Sequence, residues 1–320
     1  MGATQAGDRL AIGIDIGGTK IAGGVVAPDG EVLVRDKVPT PDTGDAIVSA
    51  VKALVAKLRA ASPDVAAIGV GAAGLVEWPE GRIRWAPNNA YRDLPLRALL
   101  AEKTGLPVRV DNDANVAAWA EARFGAGEGS RDLVLIAVGT GIGGGLVLDG
   151  KVYRGATGMG AELGHMLVDV DGAPCACGRT GCLEAMASGS ALGRYGREAA
   201  GADPDGLLAR LAGSPDKVTG LTVAEAAGQD DKVALELFDR LGFWLGVGIV
   251  NAITIFDPAV VVIGGGLIAN GELLLAPARA ATERLQFGAG HLDFPPIVAA
   301  RLGPEAGVVG AASIAFDPDD

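Results

Sequence analysis

Apolar runs separated by glycine turns dominate the first part of the chain, and their spacing predicts alternating strands and helices. Three apolar segments near the N-terminal side are joined by glycine-containing turns. Beyond them, apolar residues recur at helical spacing over Asp45–Ala60, which predicts an amphipathic helix. The predicted strands here are Leu10–Ile16, Thr19–Ala27, Glu31–Val38, Ala66–Val76 and Pro107–Asp111, and the further helices are Leu94–Thr104 and Val116–Phe124.

The second part of the chain repeats the order of strand, glycine turn and strand. Asp132–Val138 is an apolar strand, Gly139–Gly145 is a glycine turn and Leu146–Leu148 is a return strand, followed after a hairpin turn by Lys151–Tyr153. The same order occurs in residues 10–38 and indicates a weak internal duplication. The remaining predicted elements are helices over Ala185–Ala200, Lys232–Phe256 and Gly307–Phe316, and a strand over Ala259–Ile263 that ends in Gly264-Gly265-Gly266.

Length, charge and composition narrow the classes of protein. At 320 residues the chain is long enough for about two domains. Its net charge of −12 opposes binding to nucleic acid backbones and to anionic membranes, so we expect neither as a partner. The sequence contains no uninterrupted apolar run of about 18 residues and no secretory signal pattern. Because the cysteines are grouped in the manner of metal ligands, we predict a cytoplasmic protein.

The cysteines form one cluster with a histidine. Cys175, Cys177 and Cys182 follow His165 with the spacing His-x9-Cys-x-Cys-x4-Cys. Four nitrogen and sulfur ligands suit a tetrahedral Zn²⁺ and leave no open position for a water molecule, so we predict a structural zinc site. One alternative is a set of small buried core residues beside a hydrogen-bonded histidine. Another is a redox-active pair, although no Cys-x-x-Cys occurs.

Glycine turns after two strands are candidate phosphate sites. Gly17-Gly18-Thr19 follows the first strand, which carries Asp15 near its end. Backbone N–H groups can approach phosphate oxygens there because no Cβ blocks them, and Asp15 suits a hydrated Mg²⁺. An ordinary hairpin is the alternative. Gly13–Lys20 is not a P-loop, because a strand follows it, and Gly139-x-Gly141 is not a dinucleotide fingerprint, because a hairpin follows it.

Asp113 lies between a predicted strand and a predicted helix. Ligands bind at that edge of open α/β folds, where a carboxylate can act as a base. It can equally cap the helix by accepting from its first N–H groups. Both interpretations stay open on the local sequence. Gly264-Gly265-Gly266 can likewise face a purine ring or form a plain strand-to-helix turn.

Together these segments resemble the ROK family of sugar kinases, within the superfamily of hexokinases and actin-like ATPases. The resemblance covers nearly the whole chain and is strongest for the bacterial ROK glucokinases. Its motifs are the first phosphate motif Asp15-Ile16-Gly17-Gly18-Thr19-Lys20, the second phosphate motif Gly139-Thr140-Gly141-Ile142-Gly143-Gly144-Gly145, the adenosine motif Val262-Ile263-Gly264-Gly265-Gly266, and the zinc signature Cys175-x-Cys177-Gly178-x-x-Gly181-Cys182-x-Glu184.

The resemblance implies an α/β fold with two lobes, of the actin/hexokinase-like (ribonuclease H-like) type, and a ligand cleft between the lobes. The small lobe would comprise residues 1–115, completed by the C-terminal helix at about 305–320, and the large lobe would comprise residues 116–304 with the zinc site. Family members are commonly homodimers or homotetramers.

The resemblance also implies an activity and a set of site residues. Asp113 would be the general base, with a pKa near its ordinary value of about 4, in the transfer of a phosphoryl group from ATP with Mg²⁺ to the 6-hydroxyl of glucose. His165 would bind zinc through one ring nitrogen and a sugar hydroxyl through the other. The implied sugar contacts are Gly74, Asn112, Asp113, Glu162, His165 and Glu184, and the implied nucleotide contacts are Asp15, Gly17, Gly18, Thr19, Lys20, Thr140, Gly141, Gly265 and Gly266.

Three alternatives remain. The acceptor can be another sugar, such as N-acetylmannosamine, fructose, mannose or allose. The chain can be a sugar-responsive repressor of the same family, although the first phosphate motif begins too early for a preceding helix-turn-helix domain. It can also be a catalytically silent sugar-binding protein, which the intact Asp113 and both phosphate turns oppose.

Overall fold

The computed structural model of the chain describes residues 9–86, 92–288 and 290–316. Its strands are β1 (Leu10–Ile16), β2 (Lys20–Val26), β3 (Val32–Pro39), β4 (Val65–Ala72), β5 (Leu75–Glu77), β6 (Arg82–Trp85), β7 (Arg92–Leu94), β8 (Val108–Asn112), β9 (Leu133–Val138), β10 (Ile142–Leu148), β11 (Lys151–Val152), β12 (Val260–Gly264) and β13 (Ile297–Ala299). Its helices are α1 (Gly44–Ala61), α2 (Leu96–Thr104), α3 (Asp113–Phe124), α4 (Leu183–Ala187), α5 (Gly189–Ala202), α6 (Leu207–Ala212), α7 (Gly220–Ala227), α8 (Lys232–Phe256), α9 (Glu272–Leu285) and α10 (Ala306–Ile314).

The chain folds into two compact units. The first unit consists of Met1–Leu135, Gly145–Ala161 and Arg301–Asp320, and the second consists of Ile136–Gly144 and Glu162–Ala300. The first unit extends past residue 115 because α3 packs along α10. The sequence predicts two lobes that close over the substrates. This stays a prediction, because units defined by internal packing are not necessarily lobes that move.

A five-stranded sheet in the order β3-β2-β1-β4-β8 forms the centre of the first unit. β1 pairs antiparallel with β2 and parallel with β4, and β4 pairs parallel with β8. The helical spacing of apolar residues in α1 puts Ile47, Val51 and Leu54 on one buried face. That face joins residues of β1, β4 and α2 in one apolar cluster. The carboxyl ends of β1, β4 and β8 therefore lie side by side. Asp15 lies near the end of β1, Gly74 follows β4, and Asn112 ends β8.

Helix α10 packs on the same sheet at very short range. A Cβ on Gly13 of β1 would lie 2.9 Å from the carbonyl carbon of Val308, and a Cβ on Gly69 of β4 would lie 2.5 Å from that of Ala311. Only glycine leaves room for this approach. The helix also crosses α3, where a Cβ on Gly310 would lie 2.5 Å from the carbonyl carbon of Val116. The C-terminal helix thus packs within the first unit.

The buried carboxylate of Glu121 fixes the chain that leads into α10. Its Oε2 accepts from the N–H of Ala126 at 2.7 Å and from that of Arg301 at 3.0 Å, and its Oε1 accepts from the N–H of Leu302 at 2.8 Å. These bonds satisfy a fully buried charged group, which would otherwise be costly. They hold the C-terminal end of α3 to the segment before α10.

A second five-stranded sheet has the order β11-β10-β9-β12-β13, with β12 and β13 parallel. In the second unit, α8 and α9 pack against each other through small residues. A Cβ on Gly246 of α8 would lie 2.6 Å from the Cβ of Ala281 in α9, so glycine permits the close contact. None of the helices in the described ranges combines the length and the hydropathy that a membrane span requires.

Several predicted elements have different bounds in the structure. The strand predicted over Ala66–Val76 is two strands, because Gly74 has a φ of 111° and turns the chain between β4 and β5. The glycines after Ile142 lie inside β10 instead of a turn, and Ser188 separates α4 from α5, where one helix was predicted. Helix α9 and the small sheet β5-β6-β7 were not predicted. Asn88-Asn89, which the sequence predicts to be a polar loop after Pro87, and the final aspartates lie outside the described residues.

Candidate active site and metal centre

Asn112, and not Asp113, caps helix α3. The Asn112 Oδ1 accepts from the N–H of Ala114 at 2.8 Å and from that of Asn115 at 3.2 Å. Asp113 is the first residue of the helix, and its Oδ1 accepts from the N–H of Ala114 at 2.9 Å. Of the two interpretations of Asp113 that the sequence left open, capping therefore falls to its neighbour.

Burial changes the acidity of both carboxylates in this part of the first unit. Desolvation raises the pKa of Asp113 above its ordinary value, and backbone N–H groups offset part of the rise. Burial, and then the charge of Asp113, raise the pKa of Asp15 to about 6, while Lys20 acts in the opposite direction. The ordinary pKa predicted for Asp113 is thus wrong. A cation between the two carboxylates would relieve both effects.

The first glycine turn is a tight hairpin, as predicted, and it is held by a residue that the sequence did not single out. The N–H of Gly17 donates to the carbonyl oxygen of Lys20 at 3.1 Å, which closes the turn. Thr40, the residue after β3, holds the turn in place, because its hydroxyl donates to Gly17 O at 2.8 Å and its N–H donates to Thr19 O at 3.1 Å. Gly18, Thr19 and Lys20 are exposed, so their N–H and hydroxyl groups are accessible to a ligand.

Asp15 has room for its side chain because Gly307 lies opposite. A Cβ on Gly307 of α10 would lie 2.7 Å from the carboxyl carbon of Asp15. The first turn of α10 therefore lies beside Asp15, although Gly307 and Asp15 are separated by most of the sequence.

Gly74 and a buried ion pair hold the segment before Asp113. The Asn112 Nδ2 donates to Gly74 O at 3.0 Å, so two implied sugar-contacting residues are directly bonded. Asp111, which is 1% exposed, pairs with Arg154 through Nε and Oδ2 at 2.7 Å. Neither member of this pair was predicted from the sequence. Arg154 precedes a glycine-rich segment, and no pattern in the sequence around it predicts that its side chain is buried.

In the second unit, Glu184 contacts the second glycine turn. Its Oε2 accepts from the N–H of Ile142 at 2.9 Å, and a Cβ on Gly141 would lie 3.1 Å from its carboxyl carbon. The carbonyl oxygen of Thr140 accepts from the hydroxyl of Ser190 at 2.8 Å, while the Thr140 residue itself is exposed. The structure thus brings together an implied sugar contact and two implied nucleotide contacts.

The third glycine turn packs on the end of β9. Gly265 has a φ of 81°, and a Cβ there would lie 2.5 Å from the carbonyl oxygen of Val138. Both the conformation and the space require glycine. Gly266 begins a 3₁₀ turn that extends to Asn270, and nothing lies within 4 Å of a Cβ placed on it. Open space beside Gly266 is compatible with a flat ligand.

His165, Cys175, Cys177 and Cys182 form a compact set of donors in the second unit. Their ligand atoms all lie within 4.8 Å of one another. The Sγ atoms of Cys177 and Cys182 are 3.6 Å apart, and Cys175 Sγ is 3.8 Å from His165 Nδ1. Tetrahedral Zn²⁺ with Zn–S of about 2.3 Å and Zn–N of about 2.0 Å would place two sulfurs about 3.8 Å apart and sulfur and nitrogen about 3.5 Å apart. The donors fit zinc.

The loop that carries the cysteines depends on glycine at two turns. Gly178 and Gly181 have φ values of 90° and 67°, and a Cβ on Gly181 would lie 2.6 Å from the carbonyl carbon of Asp169. Burial raises the pKa of the Cys175 thiol to about 12 and also raises that of Cys182. The thiolate forms of Cys175 and Cys182 therefore need a cation beside them, whereas hydrogen bonds lower the pKa of Cys177 to about 7. Glu162 immediately precedes the 3₁₀ turn Leu163–His165 and accepts through its carbonyl oxygen from the N–H of His165 at 3.0 Å.

Comparison with known proteins assigns the chain to a family. A model of the ROK family matches residues 11–317, which is nearly the whole chain. The chain belongs to the ROK family. A glucokinase from Streptomyces coelicolor is 43% identical over 313 residues, which cover 97% of this chain and 98% of that relative. An N-acetylmannosamine kinase from Escherichia coli O157:H7 is 36% identical over 311 residues, covering 95% and 97%.

Solved ROK structures are similar to this one over nearly the full length. The crystal structure of a ROK family glucokinase from Streptomyces griseus in complex with glucose and AMPPNP matches with a TM-score of 0.86 and 45% sequence identity. The match covers 96% of this chain and 99% of that chain. The predicted fold class, an α/β fold of the actin/hexokinase-like type, is thereby confirmed.

Proposed function

We propose that this chain is an ATP-dependent glucokinase, which transfers the γ-phosphoryl group of ATP to the 6-hydroxyl of glucose. The observation that carries the proposal is Asp113, a carboxylate at the start of α3 that is relieved of capping by Asn112 and has a raised pKa. A base works best when its pKa lies nearer the working pH. The similarity to glucokinases at 43% identity and to a structure with glucose and AMPPNP supports glucose as the acceptor.

In this proposal Asp113 accepts the proton of the sugar hydroxyl as the hydroxyl oxygen attacks the γ-phosphorus. The bond between the γ-phosphorus and the bridging oxygen breaks, and ADP leaves with its electrons. Phosphoryl transfer needs positioning and charge neutralisation more than covalent help. Asp15, through water molecules, would hold Mg²⁺, which neutralises charge on the phosphates. The proposed nucleotide contacts are Asp15, Gly17, Gly18, Thr19, Lys20, Thr140, Gly141, Gly265 and Gly266.

The sugar is proposed to contact Gly74, Asn112, Asp113, Glu162, His165 and Glu184. Asn112 and Glu184 also make hydrogen bonds within the protein, and these bonds orient their side chains. The Asn112 oxygen caps α3 and one of its amide hydrogens goes to Gly74, so the second amide hydrogen is its contribution to the sugar. Glu184 holds Ile142 through Oε2, which leaves Oε1, at 3.8 Å from Cys175 Sγ, as the oxygen that accepts from the sugar.

Zn²⁺ is proposed to be held by His165, Cys175, Cys177 and Cys182 in a structural role. His165 would use Nδ1, the nitrogen 3.8 Å from Cys175 Sγ, which leaves Nε2 to donate to a sugar hydroxyl. Zinc would fix the conformation of the loop between Glu162 and Glu184. It takes no part in the phosphoryl transfer itself.

Further features of the proposal concern the setting of the enzyme. Supply of a phosphorylated hexose places the reaction at the entry to glycolysis. Zinc held by thiolates fits the cytoplasm, where cysteines stay reduced. The net charge of −12 opposes nucleic acid as a partner. A homodimer or homotetramer stays a prediction, and light scattering of the purified protein would test it.

The test is a coupled assay for ADP release with ATP and Mg²⁺ over glucose, mannose, fructose, allose, N-acetylglucosamine and N-acetylmannosamine. The last is included because relatives with that activity are 36% identical. We expect kcat/KM to be highest for glucose and kcat to fall by about 10²- to 10⁴-fold in Asp113→Asn. Asp149→Asn, at a side chain that is 82% exposed, is the matched control.

Each outcome of this assay decides something. Highest turnover on another sugar would keep the mechanism and replace the acceptor. No turnover on any sugar by a folded protein that retains zinc would contradict the kinase proposal and favour a sugar sensor. Full activity of Asp113→Asn would remove Asp113 from the role of base.

A further inference from the structure

Asp111 and Arg154 form an ion pair inside the first unit, next in sequence to Asn112 and Asp113. Arg154 Nε donates to Asp111 Oδ2 at 2.7 Å, and the two side chains are 9% and 1% exposed. The guanidinium carbon of Arg154 also lies 3.8 Å from the centre of the Trp78 ring. The arginine is therefore fixed in two directions, by a charge-assisted hydrogen bond and by stacking on an aromatic face.

The second oxygen of Asp111 holds one residue on each side of the proposed base. Its Oδ1 accepts from the N–H of Asn112 at 2.7 Å and from Nδ2 of Asn115 at 2.9 Å. Asn112 and Asn115 lie on either side of Asp113 and Ala114, so one carboxylate fixes the backbone and the first turn of α3 around Asp113. The position of that carboxylate is set by Arg154.

Stability alone does not account for such a pair. Two buried charges lose their hydration, and a well-packed apolar pair of similar size is often at least as stable. A planar arginine fixed on a tryptophan does something an apolar pair cannot, because it gives the aspartate one defined position. Arg154 also lies in the segment Gly145–Ala161 of the first unit, which ends directly before Glu162, an implied sugar contact.

We propose that Arg154 is a positioning residue for catalysis: through Asp111 it sets the place of the Asp113 carboxylate relative to the sugar hydroxyl. This inference rests on the proposed kinase function. Misplacement of a reacting group by about 1 Å costs roughly 100-fold in rate. Loss of the pair is therefore expected to lower kcat and to leave substrate binding largely intact.

The experiment compares Arg154→Met, Asp111→Asn, the double variant with both changes, and Arg154→Lys, each in the full chain. Arg154→Met leaves a buried carboxylate without its partner and should lower the thermal midpoint the most. The double variant removes both charges, so its midpoint should return to within about 3 °C of the parent. Arg131→Met is the control, since Arg131 pairs with Asp149 at the surface, where the side chains are 71% and 82% exposed.

The decisive quantity is kcat per folded molecule in the double variant, with KM for glucose and for ATP measured alongside. We expect its kcat to be roughly 10- to 100-fold below the parent, with both KM values within about threefold. Arg154→Lys, which keeps the charge but not the planar stack, should recover part of the lost kcat. Arg131→Met should match the parent.

Two results would overturn the inference. A double variant with both its midpoint and its kcat at the level of the parent would show that the pair only balances buried charges. A loss confined to KM would show that Arg154 serves binding. The parent is assayed first on the sugar panel: if it turns over no sugar, the proposed function fails and this inference with it, whereas an active parent with an active double variant removes the positioning role alone.

Discussion

Replacing Gly310 with alanine tests whether close packing of α10 on α3 holds the proposed base in place. The new Cβ would lie 2.5 Å from the carbonyl carbon of Val116. Two carbon atoms in good contact are about 3.5 Å apart, and the Val116 carbonyl oxygen lies nearer still, so the helices must separate by at least about 1 Å. The obstacle is a backbone carbonyl and cannot be relieved by a change of rotamer.

The size of the effect follows from two opposing terms. Overpacking of this kind costs about 3 kcal/mol at the upper end of its usual range, while alanine in a helix gains about 1 kcal/mol over glycine. The net loss of about 2 kcal/mol corresponds to a fall of about 4–8 °C in the thermal midpoint. Because Val116 and Asp113 are in the first turn of the same helix, a displacement of about 1 Å should also lower kcat by roughly 100-fold.

The assay pairs scanning calorimetry with steady-state kinetics on glucose. Gly201→Ala is the matched control, since Gly201 lies in α5 and nothing is within 4 Å of a Cβ placed there. It should gain up to about 1 kcal/mol in stability and leave kcat unchanged. If Gly310→Ala behaved like Gly201→Ala, the packing argument would be refuted. A lower midpoint with unchanged kcat would refute only the link between α10 and the base.

Three further predictions concern charge and metal. In metal-free buffer, Asp15→Asn should raise the thermal midpoint at pH 7 but not at pH 4. Burial raises the pKa of Asp15 to about 6, so ionising this carboxyl destabilises the folded protein as the pH rises from about 4 through 6. Equal midpoint changes at both pH values would contradict this. The acidic limb of the kcat/KM profile should lie above pH 4, because Asp113 must be ionised to act as a base and burial raises its pKa; a limb at its ordinary value of about 4 would be the contrary result. Cys177→Ser should abolish zinc binding, measured by atomic absorption, and raise KM for glucose; loss of zinc at unchanged KM would show that the metal does not support the sugar contacts.

The sequence was sufficient for features with a local signature. The first hairpin at Gly17, the cysteine cluster after His165 and helix α8 are set by residues close in sequence, so spacing and periodicity predict them. The role of Asp113 was not decided by such local rules, because the residue before it can also cap a helix. The structure places Asn112 at the cap, and the role of Asp113 as a base stays a proposal.

Features that depend on distant residues were not predictable from the sequence. Nothing near Arg154 marks it as buried, because its partner Asp111 and its stacking partner Trp78 lie far from it in the sequence. The requirement for glycine at Gly307 is likewise invisible, since it arises from Asp15 at the other end of the chain. The ordinary pKa predicted for Asp113 was wrong for the same reason. Desolvation raises the pKa, and it depends on the fold and not on the sequence around the residue.

The covering of the first sheet by α10 has a consequence during synthesis. One face of β1 and β4 is closed by residues 308–312, which leave the ribosome long after the strands that they cover. At a translation rate of about 5–20 residues per second, the roughly 300 residues between Gly13 and Val308 keep that face open for about 15 to 60 seconds. A nascent chain therefore carries an unprotected sheet while its second unit, which extends to Ala300, is still being made. Apolar surface that is exposed during synthesis favours aggregation, so the yield of folded protein should depend on how well that face of the sheet is shielded until α10 packs on it.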